Sequence, residues 1–233
     1  MAILNGPYAS KMRGKVGEVV AAKTVGGQTA LRSYQPTVKN PNTRRQRAAR
    51  GKFADLSGLA ALFANAVAIG YGKAVQGMKM YARNLFLRDC YAQDMLYSDG
   101  VVEYDQVKVS KKTGLSAMPI GASCTYAQAT GITCSLGAGT PGYADNGNAL
   151  GVVFVLVSPD TNEAIVAADS VTNAQTSGVV LAPGRFTAGS TYYVYVFLKE
   201  MEFSGTEIAT DEYPWKYPSN TGDSVYVGTV SAQ

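Results

Sequence analysis

The chain has no histidine, one tryptophan and three cysteines in 233 residues, and only 16% of its residues are charged. Each shortage excludes something. Without His there is no ordinary general base at neutral pH, no imidazole metal ligand, and no Ser-His-Asp or Cys-His pair. Cys90, Cys124 and Cys134 show no CxxC spacing, so neither a zinc site nor a disulfide framework is indicated. They read as small buried hydrophobes, although Cys124 and Cys134 fall where adjacent strands would let them pair in an oxidising environment. The Gly-rich stretch Gly137-Ala138-Gly139-Thr140-Pro141-Gly142 lacks the Lys and the helix start of a phosphate loop, and reads as a loop between strands. Nothing fixes the carboxylate pairs Glu200/Glu202 and Asp211/Glu212 beside a nucleophile. The expectation is a non-enzymatic protein with no cofactor and no metal.

Long apolar runs are missing too. The longest, Leu59 to Ile69, is interrupted by Asn65 and falls well short of the roughly 20 residues that cross a bilayer. Met1 to Ser10 carry Asn5, Gly6 and Pro7 where an export signal has its apolar stretch, so no signal peptide is expected.

What is present is apolar and tyrosine-rich. A hydrophobic content of 46% is enough for a helical unit plus a sandwich of about 100 residues. Fifteen tyrosines offer large, rigid contact faces with polar tips. Charge is divided along the chain: residues 1–52 hold eleven Lys or Arg and one acid, residues 53–100 hold four of each, and residues 101–233 hold six basic against twelve acidic. Net charges of +10, 0 and −6 predict attraction between the beginning of one copy and the end of another.

Residues 1–42 read as a basic arm. Two β-prone runs, Gly14 to Val20 and Gln28 to Tyr34, flank Gly26-Gly27 and predict a hairpin. Isolated hairpins are marginal in water, so the arm is expected to dock on its own or another chain. Residues 43–100 read as a helical hairpin. Thr43 with Gln46 has capping-box spacing, which predicts a helix from Thr43. Ala49, Phe53, Leu56, Ala60, Phe63 and Val67 then form an apolar stripe, widened by Leu59, Leu62 and Ile69 until little of the later helix can face water. Gly70-Tyr71-Gly72 breaks it, and a second helix is expected through Val75, Met78, Ala82, Leu85 and Asp89. Gly51, Gly58 and Gly77 read as packing glycines between the two.

Past Gly100 the pattern changes to short strands: Val102 to Val109, Gly131 to Leu136, Gly151 to Val157, Ala164 to Ala168, Gly178 to Leu181, Thr191 to Leu198 and Ser224 to Val230. Seven such runs predict an immunoglobulin or fibronectin-III-like β-sandwich over 101–233, so the fold class is α+β. Tyr192 to Leu198 carries large residues on both faces and belongs mid-sheet.

The candidate contact residues of the arm are Lys15, Arg32, Lys39, Arg44, Arg45, Arg47, Arg50 and Lys52. Positive side chains at a helix start oppose the helix dipole, so another interaction has to favour them. Phosphates, acidic patches of neighbouring subunits and a merely solvated face all remain open. In Tyr213-Pro214-Trp215-Lys216-Tyr217-Pro218, the aromatics Tyr213, Trp215 and Tyr217 read either as an exposed binding loop or as a cover folded over a sandwich end.

Gly14-Lys15-Val16-Gly17, the Arg32-Ser33 pair, Val38-Lys39-Asn40-Pro41-Asn42-Thr43 with Gln46 and Arg47, Phe53, and Ser224-Val225-Tyr226-Val227-Gly228 resemble an uncharacterised family from gut bacteria, their phages and prophages. The likeness spans most of the chain and is most specific in the first 55 residues. The usual member has a Thr-Pro pair where this chain has Asn42-Thr43-Arg44-Arg45, so this copy is more basic. The family supplies no catalytic residue. What the resemblance implies is a virion-like role, in a particle made in the host cytoplasm. The expected function is thus a phage structural protein, of capsid-accessory, decoration or head-to-tail connector type, bound to copies of itself and other virion proteins. A nucleic-acid-organising protein and a surface adhesion module are the rivals.

Overall fold

The computed structural model describes residues 2–4, 13–23, 28–37, 42–93, 97–98, 101–201 and 219–232. The chain forms two compact units, Met1–Gly51 with Gly77–Tyr81 and Lys52–Gln76 with Ala82–Gln233. The fold is mixed α+β, with antiparallel sheets and four helices among the described residues.

In the first unit, β1 (Ala2–Leu4), β2 (Gly14–Val16), β3 (Val19–Lys23) and β4 (Thr29–Ser33) make one sheet in the order β1-β4-β3-β2. The expected strand from Gly14 to Val20 is itself a hairpin. Val16 pairs with Val19 across the two-residue turn Gly17-Glu18, where the glycine takes positive φ. The Gly26-Gly27 turn lies outside the described residues. Among the described residues of this unit only Ala21, Thr29 and Ala30 are buried.

Helix α1 (Arg44–Leu62) begins where the capping box predicts. Thr43 Oγ1 accepts from the Gln46 amide at 3.3 Å, and Gln46 Oε1 accepts from the Thr43 amide at 3.4 Å. The apolar stripe is narrower than expected: Ala49 and Phe53 are exposed, and burial starts at Leu56. The later part is not enclosed all round either, because Ala61, Ala64, Asn65 and Ala68 face solvent. α2 (Ala64–Gly70) continues after a bend of 78°. No single helix among the described residues is long and apolar enough to cross a membrane.

The second helix is displaced from its expected start. Lys73–Val75 form a 3-10 turn and α3 (Ala82–Ala92) begins seven residues past Val75. Gly77 takes φ +76°, a left-handed conformation that ends any helix there. Gly51, Gly58 and Gly77 are not packing glycines, since a Cβ on any of them would meet nothing within 4 Å. The close approach occurs at Gly70. A side chain there would collide with the carbonyl oxygen of Val109, and the Gly70 carbonyl accepts from the Lys111 amide at 3.1 Å and from Thr221 Oγ1 at 3.3 Å.

After the short pair β5 (Tyr97–Ser98) and β6 (Val101–Val102), the chain does not form the expected strand to Val109. A 3-10 turn at Tyr104–Gln106 interrupts it. The following backbone is satisfied largely by polar side chains: Val109 N–H donates to Ser224 Oγ at 3.0 Å and Lys112 N–H to Asp223 Oδ1 at 3.1 Å. Ser, Thr and Asp side chains there take the place of a sheet ladder. β7 (Ser123–Ala127), missing from the seven predicted runs but expected as a strand at Cys124, pairs with β8 (Gly131–Ser135).

β9 (Leu150–Ser158), β10 (Glu163–Ser170), β12 (Thr191–Glu200) and β13 (Val225–Ser231) form a sheet in the order β10-β9-β12-β13; β11 (Val179–Leu181) joins β8 and β7 in the order β11-β8-β7. A short helix α4 (Val171–Thr176), capped by Ser170 Oγ, links β10 to β11. One side-chain parity of β9 and β12, from Val152, Phe154 and Leu156 to Val194, Val196 and Leu198, shares a buried cluster with Ile132, Cys134 and Leu181 of the smaller sheet. Most of the opposite parity is buried too, and its Tyr195 meets Phe63 of the helices. The larger sheet is therefore a middle layer, and β12 lies inside it as its sequence predicts. The helices from Lys52 onward belong with the strands, so the compact units do not divide at residue 100, the expected boundary.

Cys124 and Cys134 are directly opposed on β7 and β8, with Cα atoms 4.2 Å apart, and are joined as a disulfide. The reading of all three cysteines as buried thiols holds for Cys90 alone.

Candidate functional site

The first unit carries eleven basic residues and one acid, the second ten basic and sixteen acidic. Strand register explains how part of that charge is arranged. Lys15 opposes Val20 and Val20 opposes Arg32, so Lys15 and Arg32 stand on one sheet face with a small apolar residue between them. Tyr34 follows on the same side, and Lys15 Nζ lies 3.7 Å from its ring centroid.

On α1, Arg44, Arg47 and Arg50 recur every three residues along one side, while Arg45 and Lys52 fall on another. Arg44, Arg45 and Arg47 are exposed and form no ion pair among the described residues. No acid occupies the first turn to offset them. Lys52 belongs to the second unit, with its Nζ 5.0 Å from the centroid of Tyr91. Of the eight expected residues, Lys15 and Arg32 share a sheet row, Arg44, Arg47 and Arg50 share one side of α1, Arg45 is turned away from them and Lys52 belongs to the second unit; Lys39 lies outside the described residues, as do Tyr213, Trp215 and Tyr217.

A different aromatic group lies within the second unit. Tyr195 pairs with Tyr226 across β12 and β13, Tyr193 is two residues away on the same face, and the 3-10 turn delivers Tyr104. Ring centroids are 4.9 Å apart for Tyr104–Tyr193, 6.4 Å for Tyr193–Tyr226 and 5.6 Å for Tyr195–Tyr226. Tyr195 is fully buried and donates to the Tyr104 carbonyl at 2.5 Å; the other three are half-buried. Burial first, then the Tyr193 phenol and the Asp160 carboxylate, raises the Tyr104 pKa, while burial, Tyr193 and Asp105 raise that of Tyr226. The alternation of Tyr193 and Tyr195 is visible in sequence, but the strand and turn that complete the group are remote from it.

A cleft of about 120 Å³ opens between Gly114–Ala117, Ala144–Asn146, Glu200 and Asn220. The nearly buried Glu200 carboxylate accepts from Asn146 Nδ2 at 3.1 Å and from Asn220 Nδ2 at 3.0 Å. Both donors are neutral amides that satisfy the carboxylate at the last residue of β12, so this cleft reads as structural.

Residues 11–214 match the profile of a family of unknown function, DUF6266, and the chain belongs to that family. No curated protein and no solved structure matches it significantly.

Proposed function

We propose that this member of the DUF6266 family is a phage-particle structural component, of capsid-accessory, decoration or head-to-tail connector type, acting by protein–protein assembly. The observation that carries the reading is the division of charge between the two compact units, net +10 against −6. Such opposite charges within one chain steer copies toward head-to-tail association. The thin first sheet supports it, because among its described side chains only Ala21, Thr29 and Ala30 are buried, which supplies little stabilisation.

We read β7 to β13 as an immunoglobulin or fibronectin-III-like sandwich. Three strands in the order β11-β8-β7 facing four in the order β10-β9-β12-β13 support this. The sandwich would form the acidic body of the subunit and the basic sheet its anchor.

Light scattering of the full chain, alone and mixed with proteins of purified particles, tests the assembly reading. Growth of mass with concentration, or on mixing, is expected. A monomer that ignores every particle protein overturns it.

A further inference from the structure

Three half-buried tyrosines gathered at one place on a β-sandwich have a chemistry of their own. Tyr104, Tyr193 and Tyr226 keep part of each ring accessible, and no described residue makes a hydrogen bond to any of their three hydroxyls. Carboxylates lie near them. Asp105 shares the 3-10 turn with Tyr104. Asp160 sits in the turn just after β9, three residues beyond Val157, the partner of Tyr193. Both acids are exposed, and Glu103 adjoins the same turn. A tyrosine face is the negative end of a quadrupole, and adjacent carboxylates deepen the local field, so the ligand favoured here is a cation carried on an apolar stem. Arginine and lysine side chains fit that description.

The chain supplies such cations in its other unit. Arg44, Arg45 and Arg47 are exposed, without ion-pair partners among the described residues. The molecule already places lysine against tyrosine twice, at Lys15–Tyr34 and Lys52–Tyr91. We propose that Tyr104, Tyr193 and Tyr226, with Asp105 and Asp160, form the surface that receives the basic N-terminal unit of a second copy through Arg44, Arg45 and Arg47. This deepens the assembly reading above and rests on it. Each copy presents one donor and one acceptor, so the contact is heterologous and propagates head to tail. Aromatic rings and arginine are the side chains that most often carry binding energy at interfaces.

Two full-length variants test it by sedimentation: Arg44→Glu with Arg45→Glu and Arg47→Glu, and Asp105→Lys with Asp160→Lys. Wild-type chain is expected to grow into salt-sensitive oligomers. Each variant alone should self-associate about tenfold or more weakly, with its thermal midpoint within a few degrees of wild type. Wild-type chain should still bind either one and be capped by it, giving shorter oligomers. In the milder Tyr226→Leu chain the loss should be smaller but in the same direction. Self-association of the Asp105/Asp160 variant at wild-type strength overturns the proposal. A wild-type monomer overturns it too, and if that monomer still binds particle proteins, the assembly reading survives without this surface.

Discussion

Phe63 and Tyr195 meet edge to face, ring centroids 5.4 Å apart with planes at 75°, one at the bend between α1 and α2 and the other at the centre of β12. Both are fully buried, and Phe63 also lies 6.3 Å from Phe86 of α3. This contact ties the helices of the second unit to the middle sheet. Phe63→Ala should therefore cost about 3–5 kcal/mol in denaturant unfolding of the full chain, whereas Phe53→Ala, at a residue 55% exposed, should cost under about 1 kcal/mol. Equal costs would show that the helices do not share the core of the sheet.

The Cys124–Cys134 bridge closes a loop with a sequence separation of 10. Chain-entropy arguments give such a closure about 3 kcal/mol. Reduction should lower the unfolding midpoint of the wild type and leave the Cys124→Ser/Cys134→Ser chain unchanged. Identical melting with and without reductant would contradict this.

Alkaline pH should unfold the second unit through its buried acids. Burial, and after it the Asp89 carboxylate, pushes the Cys90 thiol up from 9.0 to about 12. Tyr71 and Tyr195 are raised for the same first reason. A raised folded pKa means that the native state holds its proton longer than the unfolded chain. The contribution is complete below pH 9 and is lost as pH climbs toward 12. Denaturant midpoints measured across that window should fall, and Cys90→Ala should flatten part of the fall. A midpoint that is level from pH 9 to 12 would count against it.

Duplex DNA competes with protein as a partner for the arginines. If Arg44, Arg45, Arg47, Arg50 and Lys52 all met phosphates, the log-log salt dependence would approach about −4.5. Weak binding with a much shallower slope is expected, since phosphate contacts alone carry no base readout and an acidic protein surface is at hand. Tight binding with the full slope would favour the nucleic-acid reading.

Local signals in the sequence were legible where they were chemically complete. Thr43 and Gln46 announce the start of α1, and the two-sided apolarity of Tyr192 to Leu198 announces an interior strand. Expectation fails where a distant residue decides. Val102 to Val109 has strand composition, but Ser224, more than a hundred residues on, captures the amide of Val109 at its end, and Asp223 captures that of Lys112 just beyond it. β7 is signalled only by Cys124, expected on a strand beside that of Cys134, because Ser123 and Thr125 are small and polar and its partner β8 makes it a strand. The stripe through Ala49 and Phe53 is periodic yet exposed, since periodicity shows which residues share a face and not where a partner ends. The tyrosine group was invisible for a related reason: Tyr104, Tyr193 and Tyr226 are brought together only by register and a turn.

The most direct test of assembly is quantitative mass spectrometry of phage particles purified from a strain that encodes the chain, comparing wild type with an Arg44→Ala/Arg45→Ala/Arg47→Ala variant. Wild-type chain should be present in intact particles, with at least a several-fold loss for the variant. Absence of the wild-type chain from intact particles, or equal incorporation of the variant, would contradict it.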